Sequence, residues 1–275
     1  MTEIGIFVVP SAEHPELTIR QALVAEEAGL ELIGVQDHPY QRRYLDTWTL
    51  LAYLAGRTQR LRLATDVVNL PLRLPAVLAK AAASLDVLSG GRFELGIGAG
   101  SFWDAVEAMG GPRRTPGESV TALAEAIAIL RAFWSGDRSV RVEGEHYRVN
   151  GAKPGPQPAH PIGIWVGAYG PRMLALTGRL ADGWLPSVGS HYADPRDVPA
   201  MQTRIDDAAK RAGRDPAAVR RVANAMGLSG EAGSWAGQLE RVAELGFDTI
   251  LVAVREDDPL GFIRRLGEDV APALR

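Results

Sequence analysis

Cysteine is absent from the 275 residues, which rules out disulfides, a thiolate nucleophile and cysteine metal sites. Histidine is scarce. His14, His38, His146, His160 and His191 are scattered without metal-ligand spacing, so no metal is expected. No apolar run reaches about 18 residues and no charged-then-apolar leader is visible, so a cytoplasmic protein without a membrane partner is expected. Neither sign of charge dominates: 30 basic and 33 acidic residues are interspersed and leave a net charge of −3. That balance argues against nucleic acid as a partner. There is no Gly-x-Ser-x-Gly elbow, no P-loop lysine and no His-Glu-x-x-His, which disfavours a hydrolase or a metalloenzyme.

What the chain has is a rhythm. Hydrophobic residues make up 46% of it, enough for a full core. Ile4–Val9 is a compact apolar strand, and a helix from Pro15 to Ala28 closes at Gly29. Leu32–Val35, Leu61–Thr65 and Phe93–Ile97 are further short strands, separated by helices over 47–57 and 75–88. A long amphipathic helix spans Pro116–Trp134, with Val120, Leu123, Ile127 and Leu130 on one face. Residues 139–149 alternate about Glu143-Gly144 and predict a hairpin, part of a small insertion near 135–160. Strands at 162–166, 183–186, 221–226 and 249–254 then alternate with helices at 171–181, 198–212, 235–245 and 260–266.

Eight nearly continuously apolar strands, each followed by a helix, predict parallel strands covered on the outside. The expected fold is α/β, a (β/α)8 TIM barrel occupying residues 1–275 as one domain, with an open doubly wound sheet as the competitor. In both, ligands bind at the carboxyl ends of the strands. The residues just past each apolar run are Asp37, His38, Asp66, Asn69, Gly98, Gly100, Gly167 to Gly170, Ser187 and Arg255, and they are expected to converge on one rim.

Asp37-His38 directly follows the second strand, where a histidine can act as acid, base or anion stabiliser and an aspartate can equally cap a turn. Gly167-Ala168-Tyr169-Gly170-Pro171-Arg172 joins a strand to a helix, and free N–H groups there suit a phosphate. Gly96-Ile97-Gly98-Ala99-Gly100 leaves room for a flat ligand along the main chain. It is not a dinucleotide fingerprint, because Ser101 stands where the third glycine belongs. Phe102, Trp103, Met109 and Trp184 are candidates for an apolar substrate pocket.

Three stretches resemble the luciferase-like monooxygenases, a family of flavin- or deazaflavin-dependent oxidoreductases. They are Gly34-Val35-Gln36-Asp37-His38, the run from Pro75 to Lys80 continuing through Leu85 to Gly100, and Gly170 to Trp184. The resemblance implies a (β/α)8 barrel with non-covalent FMN or F420 at its C-terminal rim. It implies that Asp37 and His38 lie by the reactive ring edge, with His38 assisting catalysis. It implies a non-prolyl cis peptide at Asp66–Val67 behind the ring, with Asn69 close by. Gly98 and Gly100 would let the ring approach, and Gly167, Ala168, Tyr169 and Gly170 would hold phosphate. Arg42, Arg43, Arg73 or Arg172 could meet a longer anionic tail.

The Asp-His pair leans the cofactor towards F420. With F420 the chemistry is hydride transfer to or from a small-molecule substrate. With FMN it is oxygenation by reduced flavin from a partner reductase, so a separate flavin or F420 reductase, according to the cofactor, is a candidate partner. A homodimer formed through the helices after the second and third strands is also implied. The alternatives are an inactive cofactor-binding relative, or a barrel enzyme whose substrate carries the phosphate.

Overall fold

The computed structural model describes residues 2–189, 192–255 and 257–274. Eight parallel strands carry it: β1 (Glu3–Val8), β2 (Leu32–Val35), β3 (Arg62–Thr65), β4 (Phe93–Gly98), β5 (Ile164–Val166), β6 (Gly183–Trp184), β7 (Arg220–Ala225) and β8 (Thr249–Ala253). Each pairs in parallel with the next. The sheet closes where β8 pairs with β1, Thr249 opposite Glu3. That pairing excludes the open doubly wound sheet.

Strand alternation explains why the strands read as solid apolar runs. On β1, Ile4, Ile6 and Val8 face the helices, whereas Phe7 joins Leu32, Ala64, Trp165, Leu185, Val222 and Leu251 in a separate cluster inside the barrel. Both faces are buried, so both are largely apolar.

The outer ring comprises α1 (Pro15–Glu27), α2 (Thr47–Ala55), α3 (Pro75–Ser89), α4 (Trp103–Ala108), α5 (Pro116–Trp134), α6 (Pro171–Leu180), α7 (Val198–Arg211), α8 (Trp235–Ala243) and α9 (Pro259–Arg265). Local chemistry places their ends. Asp46 caps α2 by accepting from the Thr49 N–H, and Thr115 with Glu118 forms a reciprocal capping box on α5. Gly90 ends α3 in the left-handed region at φ +71°, a conformation cheap only for glycine.

Three features differ from the sequence reading. The strand expected over 183–186 is broken: it ends at Trp184 and resumes at Ser187–Val188, because Pro186 cannot donate to the ladder. The six-residue α4 is not legible, since its apolar content is too short for a helical period. The hairpin runs from Val140–Glu143 to Arg148–Ala152, a little beyond the expected bounds. Its turn is held from outside, by the Glu125 carboxylate of α5 accepting the N–H groups of Glu145, His146 and Tyr147.

The amino-terminal face of the barrel is an ion-pair cluster. Glu3 accepts from Arg62, Arg220 and the Thr249 hydroxyl, and Arg62 also lies 3.6 Å from Glu94. Conventional stabilising groups thus occupy one end, and the candidate site occupies the other.

Helices α6 and α7 meet at Gly178, where an added Cβ would overlap the Ile205 carbonyl. Gly178→Ala is therefore expected to destabilise by about 1–3 kcal/mol. Gly56→Ala, at φ −77° and meeting only the Tyr53 carbonyl at an ordinary 3.6 Å, should be neutral or mildly stabilising. Thermal unfolding of the two variants checks the contrast.

Candidate active site

The carboxyl ends of the strands surround a cleft of about 520 Å³. Asp37, His38, Asp66, Val67, Asn69, Gly98, Gly100, Gly167, Tyr169 and Ser187 all line it, so most of the expected rim residues come together. Gln36, Tyr192, Asn224 and Met226 line it too.

Asp37 and His38 follow β2 directly but occupy different environments. Asp37 is 1% exposed, and both its oxygens are engaged. Oδ1 accepts from Arg73 Nη2 at 2.9 Å, and Oδ2 accepts the Asn69 N–H at 3.1 Å. Arg73 also donates to Asp46 at 2.7 Å, so one guanidinium ties the loop after β2 to the cap of α2. His38 sits half-buried among rings: Tyr40 stacks on it at 5.3 Å, and Phe102 meets it edge-on at 5.7 Å. Burial pushes the imidazole below its usual range, with the Asp37 carboxylate pulling partly back. Around neutral pH the ring is thus predominantly the uncharged base.

The floor is polar. Asp66 Oδ1 accepts from Asn224 Nδ2 at 2.9 Å, and Asn224 also reaches the Ser187 hydroxyl at 3.3 Å. Burial pushes the Asp66 carboxyl up to about 7, against the pull of Asn224. Gln36 Oε1, Asp66 Oδ2, Asn69 Oδ1 and Asn224 Oδ1 are buried without hydrogen-bond partners in the protein. The amide oxygens of Gln36, Asn69 and Asn224 suit N–H or O–H donors on a ligand, whereas Asp66 Oδ2 accepts when ionised and donates when the carboxyl holds its proton. The Asp66–Val67 peptide is cis, as the resemblance implied.

The two glycines at the end of β4 line the cleft, and protein neighbours by themselves already restrict their size. A Cβ at Gly98 would meet Val67 Cγ2 at 2.8 Å, and one at Gly100 would strike Pro71 and Trp103. Gly170 caps α6, Pro171 fills its first turn, and the surroundings of Gly170 are open. The first amides of this helix are free to face an anion. Tyr169 accepts the Ser187 N–H through its hydroxyl, joining this turn to the cleft wall.

Several expected participants lie elsewhere. Arg255 pairs with Asp257 and lines a different depression, because its strand ends before the cleft wall. Trp184 is wholly buried and donates to the Ala168 carbonyl, so it supports the turn at 167–170 from behind instead of walling a pocket. Ala168 is buried with it. Met109 and Trp103 are outside the lining, Arg43 pairs with Glu13, and Arg73 is occupied by its two aspartates. His191 lies outside the described residues.

Asn224 and the bridging role of Arg73 escaped the sequence reading. Asn224 had a signal: it is polar and two residues beyond the inward-facing Val222, so the same alternation points it into the barrel. Arg73 had none, since its partners lie 27 and 36 residues away.

A profile of luciferase-like monooxygenases matches residues 2–232. A 5,10-methylenetetrahydromethanopterin reductase of Methanolobus tindarius is 37% identical over 77% of this chain, and the chain spans 61% of that relative's length. An F420-dependent glucose-6-phosphate dehydrogenase of Intrasporangium calvum is 28% identical, covering 96% of this chain and 97% of its own. Among solved structures, an F420-dependent secondary alcohol dehydrogenase in complex with an F420-acetone adduct superposes with a TM-score of 0.89. It is 20% identical and covers 100% of this chain and 99% of its own, which establishes the fold.

The raised carboxyl of Asp66 has a measurable sign. Between its ordinary value of 3.8 and about 7 the folded protein holds a proton that the unfolded chain has released. Stability should therefore fall as pH rises through that window. Asp66→Asn should flatten this part of the profile, as read from urea midpoints of the ligand-free protein between about pH 4 and 8.

Proposed function

This chain belongs to the luciferase-like monooxygenase family, and from that premise we propose that it is an F420-dependent oxidoreductase acting on a small organic substrate. The observation that carries the reading is His38: an uncharged imidazole at the mouth of a cleft whose floor offers unpaired acceptors to a flat heterocycle. The 28% identical relative matched over 96% of the chain is named for F420, which supports this cofactor over FMN.

Asp66, Asn69 and Asn224 would bind the ring through their unpartnered polar atoms, and the amides opening α6 would take a phosphate of the tail. Bound F420 supplies a two-electron hydride acceptor or donor. The protein's part is proton management and orientation. As the carbinol C–H bond of an alcohol breaks and both electrons leave with the hydride, the hydroxyl proton passes to a ring nitrogen of His38 and the carbonyl forms. In the reverse direction His38 returns that proton. Asp37, with its oxygens held by Arg73 and the Asn69 amide, acts as a positioning residue: its charge steadies the imidazolium when that forms.

We further read the chain as one domain carrying the 140–152 hairpin as an insertion, and as a homodimer. Tyr53 of α2 and Leu74, Val77 and Leu88 on or beside α3 are exposed apolar side chains on the helices after β2 and β3. Val77→Glu should convert a dimer into a monomer in analytical ultracentrifugation; a wild-type monomer overturns this part.

Paired fluorescence titrations with F420 and FMN test the cofactor. F420 is expected to bind at micromolar concentration or tighter, and more tightly than FMN. Preference for reduced FMN would replace the reading with a two-component monooxygenase fed by a reductase, and binding of neither would overturn it. His38→Ala should cut kcat by about 10²–10⁴-fold with little change in F420 affinity. An equal loss in both would remove His38 from the chemistry.

A further inference from the structure

The walls of the cleft carry information about its second ligand. Among the described residues, the ionisable acids and bases of the lining are Asp37, Asp66 and His38 together with tyrosines, and it contains no lysine or arginine. Arg73 touches Asp37 from behind, but its guanidinium is shared between Asp37 and Asp46. Arg42 and Arg43 belong to the loop after His38 yet stay outside the lining. A phosphorylated or carboxylated substrate entering beside His38 would give up its hydration without gaining a cation.

The mouth is aromatic instead. His38, Tyr40 and Phe102 form a closed group of rings, with Phe102 5.9 Å from Tyr40 as well as edge-on to His38. Phe102 remains 63% exposed. Its backbone lies at φ +53°, ψ +52°, and no other non-glycine residue among those described has positive φ. Phenylalanine is disfavoured in that region, where glycine or asparagine is cheaper. Local preference therefore does not explain an apolar ring held at the cleft mouth in contact with the proposed acid-base group.

We infer that the substrate is an uncharged alcohol, or its carbonyl counterpart, with an aromatic or alicyclic body that packs against Phe102 while its oxygen meets His38. This rests on the oxidoreductase reading and adds a substrate class to it. In the oxidising direction the hydroxyl proton would pass to His38 while bound F420 would supply the two-electron acceptor for the hydride, giving the ketone or aldehyde; no other reactant is required. With no cation beside His38, the wall disfavours a sugar phosphate there, although a relative is named for one.

Saturation-transfer NMR with acetophenone and with glucose 6-phosphate tests the inference on the purified full-length chain, with and without F420. Acetophenone should receive saturation at its ring protons, and glucose 6-phosphate should receive none. Phe102→Ala should weaken acetophenone binding by about tenfold, in line with the loss of one aromatic contact and its buried area. Phe102→Tyr keeps a ring of the same shape and should bind as the wild type does, separating ring contact from loop damage.

Binding of glucose 6-phosphate, absence of transfer to acetophenone, or unchanged binding in Phe102→Ala would each overturn the inference. F420 fluorescence on the same samples reports separately on the cofactor. A protein that binds acetophenone at Phe102 but no F420 would sink the oxidoreductase reading and leave this surface as a neutral-ligand site.

Discussion

A carboxylate with almost no access to water has to be met by a cation and by hydrogen-bond donors, and Asp37 is such a group. Arg73 supplies the cation and the Asn69 amide a donor. Because Arg73 comes from the segment between β3 and α3 while Asp37 follows β2, satisfying the charge also fixes two loops to each other. Arg73's second partner, Asp46, is already committed to capping α2 through Thr49. The orientation of His38, one residue from Asp37, is thus set by a network that reaches three elements. Loss of the guanidinium would strand a buried charge, which is why this pairing outweighs the exposed ion pairs elsewhere on the surface.

The barrel beneath serves the site by being filled. Phe7, Leu32, Trp165, Leu185, Val222 and Leu251 plug its interior, so the cleft has a floor instead of a channel. On that apolar plug rest Asp66 and Asn224, and their hydrogen bond is strong for the same reason that Asp66 holds its proton unusually well: little water competes there. Asn69, also on this floor, pairs directly with Gly98 of the fourth strand, and Val67 leaves no room for a side chain there.

The fold was legible because its periodicities are clean. Strands with two buried faces are solid apolar runs, and Gly29, Gly90 and the prolines at residues 15, 75, 116 and 171 mark helix ends. Closure was not legible, since it depends on β8 pairing with β1, contacts that no local pattern encodes. The same division runs through the site. Asp37, His38 and the turn at 167–170 could be found because they stand immediately after strands. Trp184 and Arg255 misled for a shared reason: position along the chain says which rim a residue approaches, but not whether its side chain turns inward, outward or beneath a neighbouring loop. Arg73 belongs to a third class, legible as a charge but not as a bridge.

Glu3 lies on the first strand, and the groups it holds at the base of the barrel include Arg220 on the seventh and Thr249 on the eighth. On a ribosome these partners emerge more than 200 residues after it. Until then the edge of β1 that β8 will cover has unpaired N–H and C=O groups, and Glu3 lacks two of its eventual partners. Of the barrel's strands, the earliest made is thus the last to be fully enclosed. During synthesis this exposed edge is the part of the chain that most invites intermolecular strand pairing.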